Sequence, residues 1–215
     1  MTDDTRPSAP TPTGAPIRAD LQLVADMVTP ESRVLDVGCG DGSLLDYLVH
    51  AKQVDGRGME ISQAGVNACV RQGLSVIQGD ADTDLVNYPD GAFDFVILSQ
   101  TLQATRDPKG VLVELCRIGR RAIVSIPNFG YWRVRAQLLF GGRMPVTDCL
   151  PLPWHATDSI HLCTIHDFVT LCAELGLAVE RSLILDHVGR PRRFDPGGRA
   201  ANLLGEQAVF LLRNG

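Results

Sequence analysis

The sequence predicts an α/β fold, a mostly parallel sheet covered by helices on both faces. Three observations predict it. Five short runs suit buried strands, at 34–37, 56–61, 74–78, 93–98 and 122–126. They alternate with segments of helical spacing at 43–49, 62–71 and 108–118, the arrangement that right-handed crossovers require. The first run passes into glycines at 38, 40 and 42 and then into a helix start, which makes a strand, a turn and a helix in direct succession.

Each element follows in order. Pro7, Pro10, Pro12 and Pro16 among Ser, Thr and Ala predict a disordered tail over residues 1–17, with a single domain over 18–215. Asp20 to Val28 carries Leu21, Val24, Ala25 and Val28 at helical spacing, and Thr29-Pro30 ends it. In R-V-L-D-V-G-C-G-D-G, from Arg33 to Gly42, Val34, Leu35 and Val37 suit a buried strand and the glycines permit the turn. Leu44, Leu45 and Leu48 then share a helix face, and the unpaired amides of the first helical turn are expected to point into the gap. The second strand ends at Glu60-Ile61. Ser62 caps a helix to about Arg71, with Val66 and Val70 inward and Gly73 as the stop. Gly79-Asp80-Ala81 sits at the carboxyl end of the third strand, and Pro89-Asp90-Gly91 turns into the fourth, which Ser99-Gln100 leaves.

Beyond the fifth strand the pattern changes. Pro127-Asn128-Phe129-Gly130 leads into a helix over 131–140, with Trp132, Ala136, Leu139 and Phe140 on one face and Trp132 facing the core. Residues 143–163 read as irregular. A helix over 165–175 ends at Gly176, and strands over 178–185 and 207–212 are expected as an antiparallel pair at one sheet edge. Between them, the arginine- and proline-rich 189–198 reads as a mobile loop.

Composition narrows the function classes. The 215 residues are 45% hydrophobic and 21% charged, ordinary for a folded soluble domain. No apolar run approaches the roughly 20 residues that span a bilayer, and Met1-Thr2-Asp3-Asp4 does not begin a leader peptide. The six cysteines are scattered without a C-x-x-C pair, which fits buried thiols in a reducing compartment and a cytoplasmic location. Cys149, His155, His161 and Cys163 match no compact zinc spacing, so no metal is expected. The net charge of −5 argues against general nucleic-acid binding and is uneven. Residues 1–108 carry 7 basic and 16 acidic side chains, and residues 109–215 carry 13 and 9.

Open parallel sheets bind ligands at the carboxyl ends of their strands, beside the switch in strand order. Asp36 with the glycine turn, Glu60, Gly79-Asp80-Ala81 and Ser99-Gln100 all fall there. The glycines read G-x-G-x-G, and Asp41 and Asp36 would both lie close to a dinucleotide's pyrophosphate, an unfavourable placement. S-adenosylmethionine (SAM) has no phosphate and carries a sulfonium and an ammonium, so acidic groups favour it over NAD. Glu60 suits both ribose hydroxyls and Asp80 the adenine amino group. The expected site for SAM or S-adenosylhomocysteine is Asp36, Gly38, Cys39, Gly40, Glu60, Ile61, Asp80, Ala81, Ser99 and Gln100.

V-L-D-V-G-C-G-D-G resembles motif I of class I SAM-dependent methyltransferases, which implies their Rossmann-like seven-stranded sheet. Nearly the whole chain from Leu21 to Leu212 is similar to the MetW family of methionine biosynthesis proteins. The narrow matches are L-S-Q-T-L-Q-A at 98–104, P-N-F-G-Y-W-R-V-R at 127–135, G-R-M-P-V at 142–146 and I-H-L-C-T-I-H-D-F at 160–168. That resemblance implies an accessory, activating role beside the homoserine O-acyltransferase MetX. The chain has no G-x-S-x-G elbow, in keeping with that division of labour. The alternatives are an independent small-molecule methyltransferase and a binding-only site at which SAM is a feedback signal. No catalytic residue is assigned; His155, His161, His166 and Tyr131 are the candidates for a base. Arg133 and Arg135, flanking Trp132 and Val134, are candidates to meet a partner.

Overall fold

The structure, a computed structural model, describes residues 17–157 and 161–215. The tail expected over 1–17 lies outside the described residues except for Ile17, which packs half-buried against the core. Helix α1 (Ala19–Met27) precedes strand β1 (Arg33–Val37), and α2 (Ser43–Lys52), β2 (Asp55–Glu60), α3 (Gln63–Arg71) and β3 (Val76–Gln78) follow. The chain continues through β4 (Phe93–Ser99), α4 (Pro108–Ile118), β5 (Gly119–Pro127) and α5 (Trp132–Ala136) to α6 (Ile165–Glu174). It closes with β6 (Leu177–Leu185), β7 (Pro191–Arg192), α7 (Arg199–Leu204) and β8 (Gln207–Asn214).

The sheet order is β3-β2-β1-β4-β5-β8-β6-β7. Strands β3 to β5 are parallel, and β8 runs antiparallel to both β5 and β6. The chain winds outward from β1 to β3 in one direction and from β4 to β5 in the other. The reversal between β1 and β4 opens a crevice at their carboxyl ends.

Alternation along β1 sorts the core. Leu35 and Val37 join a layer with Leu112 and Leu115 of α4 and Phe168 of α6, while Val34 joins Ala25 of α1 and Leu48 of α2 on the other face. Phe168 and Phe210 stack at 4.6 Å between ring centroids and pin α6 to the antiparallel edge. Thr164 and Asp167 form a reciprocal cap at the start of α6.

Four details differ from the sequence reading. The sheet has eight strands where seven were expected, because Pro191 and Arg192 pair with Leu185 and Ile184. The segment read as a mobile loop therefore contains a strand, and Arg199–Leu204 after it is helical. On α3 the inward partner of Val66 is Cys69, and Val70 is exposed. Trp132 does not face the core: it is exposed with Leu139 and Phe140, and Val134 takes the buried position. There the helix passes into a π turn over Gln137–Gly141, in which Leu138, Leu139 and Phe140 are all exposed.

Candidate functional site

The crevice takes its shape from the turn after β1. Gly38, Gly40 and Gly42 have φ of +70°, +57° and +83°. At Gly38 a side chain is doubly excluded, because a Cβ would lie 2.7 Å from the Thr101 hydroxyl oxygen. Opposite, at the end of β4, Gln100 holds a φ of +53°, a strained conformation for a residue with a side chain. Its backbone N–H donates to Ser125 Oγ at 3.0 Å, and its side-chain amide reaches Asp20 Oδ2 at 3.3 Å. That second contact draws the start of α1 over the mouth.

The turn's own amides are already occupied. Gly38 and Cys39 donate to the Met59 carbonyl, Gly42 to the Cys39 carbonyl, and Gly40 to Glu60 Oε2 at 2.9 Å. At the start of α2, Ser43 donates both its N–H and its hydroxyl to Asp41 Oδ1, at 3.0 and 2.7 Å. These bonds hold the Asp41 carboxyl below the usual carboxylate range. Of the first-turn amides expected from the sequence to point into the gap, that of Ser43 is thus answered by a carboxylate, whose charge disfavours an anion there.

What it offers instead is negative charge. Asp36, 2% exposed on β1, lines the crevice, and no hydrogen bond or ion pair reaches its carboxyl among the described residues. Burial, and then the charge of Glu60, push its pKa up to about 7. A cation brought into the crevice would restore its charge.

The crevice has two chambers that share Gly38. One, of about 550 Å³, is bordered by Asp36, Cys39, Gly40, Ser99 and Gln100. Arg18, Leu21, Asp41, Asp46 and Gln72 also line it; the sequence placed Asp41 beside the ligand, and the other four were not expected. The advance signal for Asp41 and Asp46 was the acidic run around the glycines. A smaller chamber of about 140 Å³ is bordered by Ile61, Gly79, Asp80, Ala81, Thr101 and Arg106. Asp80 is braced there, accepting from the Asp82 N–H at 3.0 Å, with the Arg106 guanidinium at 3.9 Å.

Glu60 lines neither chamber. It is buried, and its two oxygens accept from Gly40 and Ser62, each at 2.9 Å. It joins the glycine turn to the start of α3, leaving further lone pairs on each oxygen. Gly65 permits this packing, since a Cβ there would stand 2.7 Å from both Glu60 Cγ and the Gly40 carbonyl oxygen. Beneath the turn, Cys39 and Cys69 lie with their sulfurs 3.9 Å apart. Burial raises both thiols, so they pack as neutral groups. His155, His161 and His166 are exposed and Tyr131 is buried, and none of the four borders either chamber.

The residues present fit the adenosyl sulfonium group better than a phosphate ligand: a buried unpaired carboxyl, no room for a Cβ at Gly38, and the Gly38, Cys39, Gly40, Gly42 and Ser43 amides already used. A family model described as "Methionine biosynthesis protein MetW" matches residues 18–212. The bifunctional methionine biosynthesis protein MetXA/MetW of Rhodopirellula baltica is 31% identical over 216 residues, 96% of this chain and 34% of that protein. The ajmaline N-methyltransferase of Rauvolfia serpentina is 31% identical over 93 residues, 40% of this chain and 31% of that protein. The chain spans about a third of the length of these curated relatives.

Among solved structures, a Thermotoga maritima SAM-dependent methyltransferase, described as a possible histamine N-methyltransferase, superposes with a TM-score of 0.62 at 18% identity. The match covers 92% of this chain and 88% of that one. A chain from the complex between the Haloferax volcanii Trm112 methyltransferase activator and the putative methyltransferase gives 0.66 at 15% identity, covering 91% and 88%. At such identities the likeness shows the fold alone. Matched from Arg18 to Leu212, the chain belongs to the MetW family of methionine biosynthesis proteins, on the fold of class I SAM-dependent methyltransferases.

Proposed function

We propose that this chain is a SAM-binding accessory subunit of a MetX-type homoserine O-acyltransferase, acting in the cytoplasm in methionine biosynthesis. The observation that carries the proposal is the Rhodopirellula baltica relative, whose name joins MetXA and MetW in one bifunctional protein. The crevice supports the cofactor half. SAM supplies a sulfonium-activated methyl group and two cationic centres, and S-adenosylhomocysteine keeps only the ammonium.

In this reading Asp36 provides the anion that a cationic methionyl group needs, while Gly38, Cys39 and Gly40 let backbone approach it closely. Ser99 and Gln100 close the β4 side. Glu60 accepts from the ribose hydroxyls through its remaining lone pairs while bracing the turn. Ile61 covers one adenine face, and Asp80 with Ala81 meets its amino edge. The chain's own work is to bind and orient the ligand and to signal its presence to the acyltransferase.

The test is acyl transfer to homoserine by the acyltransferase alone, with this chain, and with this chain plus SAM. The expected result is a rate raised by the chain and altered again by SAM. Equal rates in all three would refute the proposal. Acceptor-dependent formation of S-adenosylhomocysteine without the acyltransferase would make the chain a methyltransferase in its own right.

A further inference from the structure

Seventeen large apolar side chains are exposed among the described residues, and nine of them lie between Trp132 and Leu162. Leu139 is 76% exposed, Phe140 85% and Trp154 70%. This concentration is unusual for a solvated surface and resembles the core of a protein interface. Gln137 ties the strip together: its amide accepts from the Val146 N–H at 3.1 Å and donates to the Val146 carbonyl at 3.4 Å. The segment after the π turn is thereby held beside α5.

Next to the strip is a cup of about 530 Å³, walled by Phe129, Met144, Pro145, Leu150, Leu152 and Trp154. Among the described residues no charged side chain borders it, so it suits an uncharged apolar group. Gln100 borders both this cup and the larger chamber of the crevice, which makes the two sites neighbours. The first half of the strip is basic, with the exposed Asp148 following it. Arg133, Arg135 and Arg143 lie between Phe129 and Thr147, a stretch without Asp or Glu.

We propose that this strip and cup are the face on which the homoserine acyltransferase docks. An apolar side chain of that enzyme enters the cup, and its carboxylates meet Arg133, Arg135 and Arg143. The inference rests on the partnership proposed above and adds where it is made. Two other occupants fit less well. A second copy related by a two-fold axis would set the same three arginines against themselves. A lipid surface would take up Leu139 and Phe140 but has no rigid knob to fill a cup. In the Rhodopirellula relative the matched segment is about a third of one polypeptide. A docking face there meets its neighbour at high effective concentration, so moderate affinity is enough.

The experiment is calorimetric titration of the full chain with the homoserine O-acyltransferase of the same organism, with sedimentation velocity on each protein alone and on the mixture. Leu139→Glu and Phe140→Glu charge the strip at positions too exposed to disturb folding, and Leu152→Trp crowds the cup. Val86→Glu, at an exposed apolar position elsewhere, is the control. Each of the three variants is expected to weaken binding by about 30-fold or more, as hot-spot changes do, with the control unchanged. If wild type binds and all three variants bind equally well, the docking face is wrong while the partnership stands. If wild type does not bind at micromolar concentration, the partnership fails and the face with it. Self-association of the chain alone, or co-sedimentation with phosphatidylglycerol–phosphatidylcholine vesicles, abolished by the same variants would give the surface to another occupant and overturn the proposal.

Discussion

Replacing Asp36 by asparagine separates what this side chain does for folding from what it does for a ligand. Burial and Glu60 raise its pKa from 3.8 to about 7, so the folded chain holds the proton more tightly than the unfolded one. For a raised carboxyl the sign is fixed: stability is greatest below the unfolded value and falls as pH rises through the folded one. The loss is about 2 kcal/mol by pH 5 and about 4 kcal/mol above pH 8, at 1.36 kcal/mol per pH unit. Asparagine keeps the shape and never ionises. Relative to wild type, Asp36→Asn therefore gains about 2–3 kcal/mol between pH 5 and pH 8.5, or about 5–10 °C in Tm for a chain of this size. Scanning calorimetry of both proteins at the two pH values reads this directly. A Tm difference that does not change with pH would refute the reasoning.

Further outcomes follow from the same geometry. SAM should bind about tenfold more weakly at pH 6 than at pH 8, because the ionised Asp36 must be restored, and should release about half a proton at pH 7; titrations in buffers of different ionisation enthalpy measure both. Gly38→Ala should destabilise by about 1–3 kcal/mol in urea, and Thr101→Ala should not fully rescue it, since the positive φ remains strained after the contact is removed. Asn128→Asp should cost about 2–4 kcal/mol. Asn128 Nδ2 donates to the Asn202 and Gly205 carbonyls at 2.8 and 2.7 Å, which a carboxylate cannot do, while Oδ1 accepts from Gly130 and Ile165.

The parallel half of the sheet was legible because its signals are local: a strand, a glycine turn and a capped helix each declare themselves within ten residues. Contacts between distant residues were not. Glu60 reads as a ribose acceptor from its place at a strand end, but its bond to the Gly40 amide spans twenty residues and only folding reveals it. The same holds for Asp20 and Gln100, eighty residues apart, which bring α1 over the crevice. On α3, Cys69 and Val70 both satisfy helical spacing from Val66. The thiol wins because it packs under the glycine turn against Cys39 and the Gly40 carbonyl. The Trp132–Phe140 row carried the most ambiguous signal. An apolar helix stripe looks the same whether it covers its own core or awaits another protein, and here the sheet is already covered by Val134. Strand β7 and helix α7 were missed because arginine, proline and glycine mask short elements that tertiary pairing stabilises.

The most direct measurement is a calorimetric titration of SAM into the wild-type chain and into Asp36→Asn at pH 8. One saturable site in the wild type, weakened by about 10- to 100-fold in the variant, is the predicted result for the loss of a charge-assisted contact. Equal affinity in the two proteins, or no binding by the wild type, would contradict the assignment of this crevice to an adenosyl sulfonium.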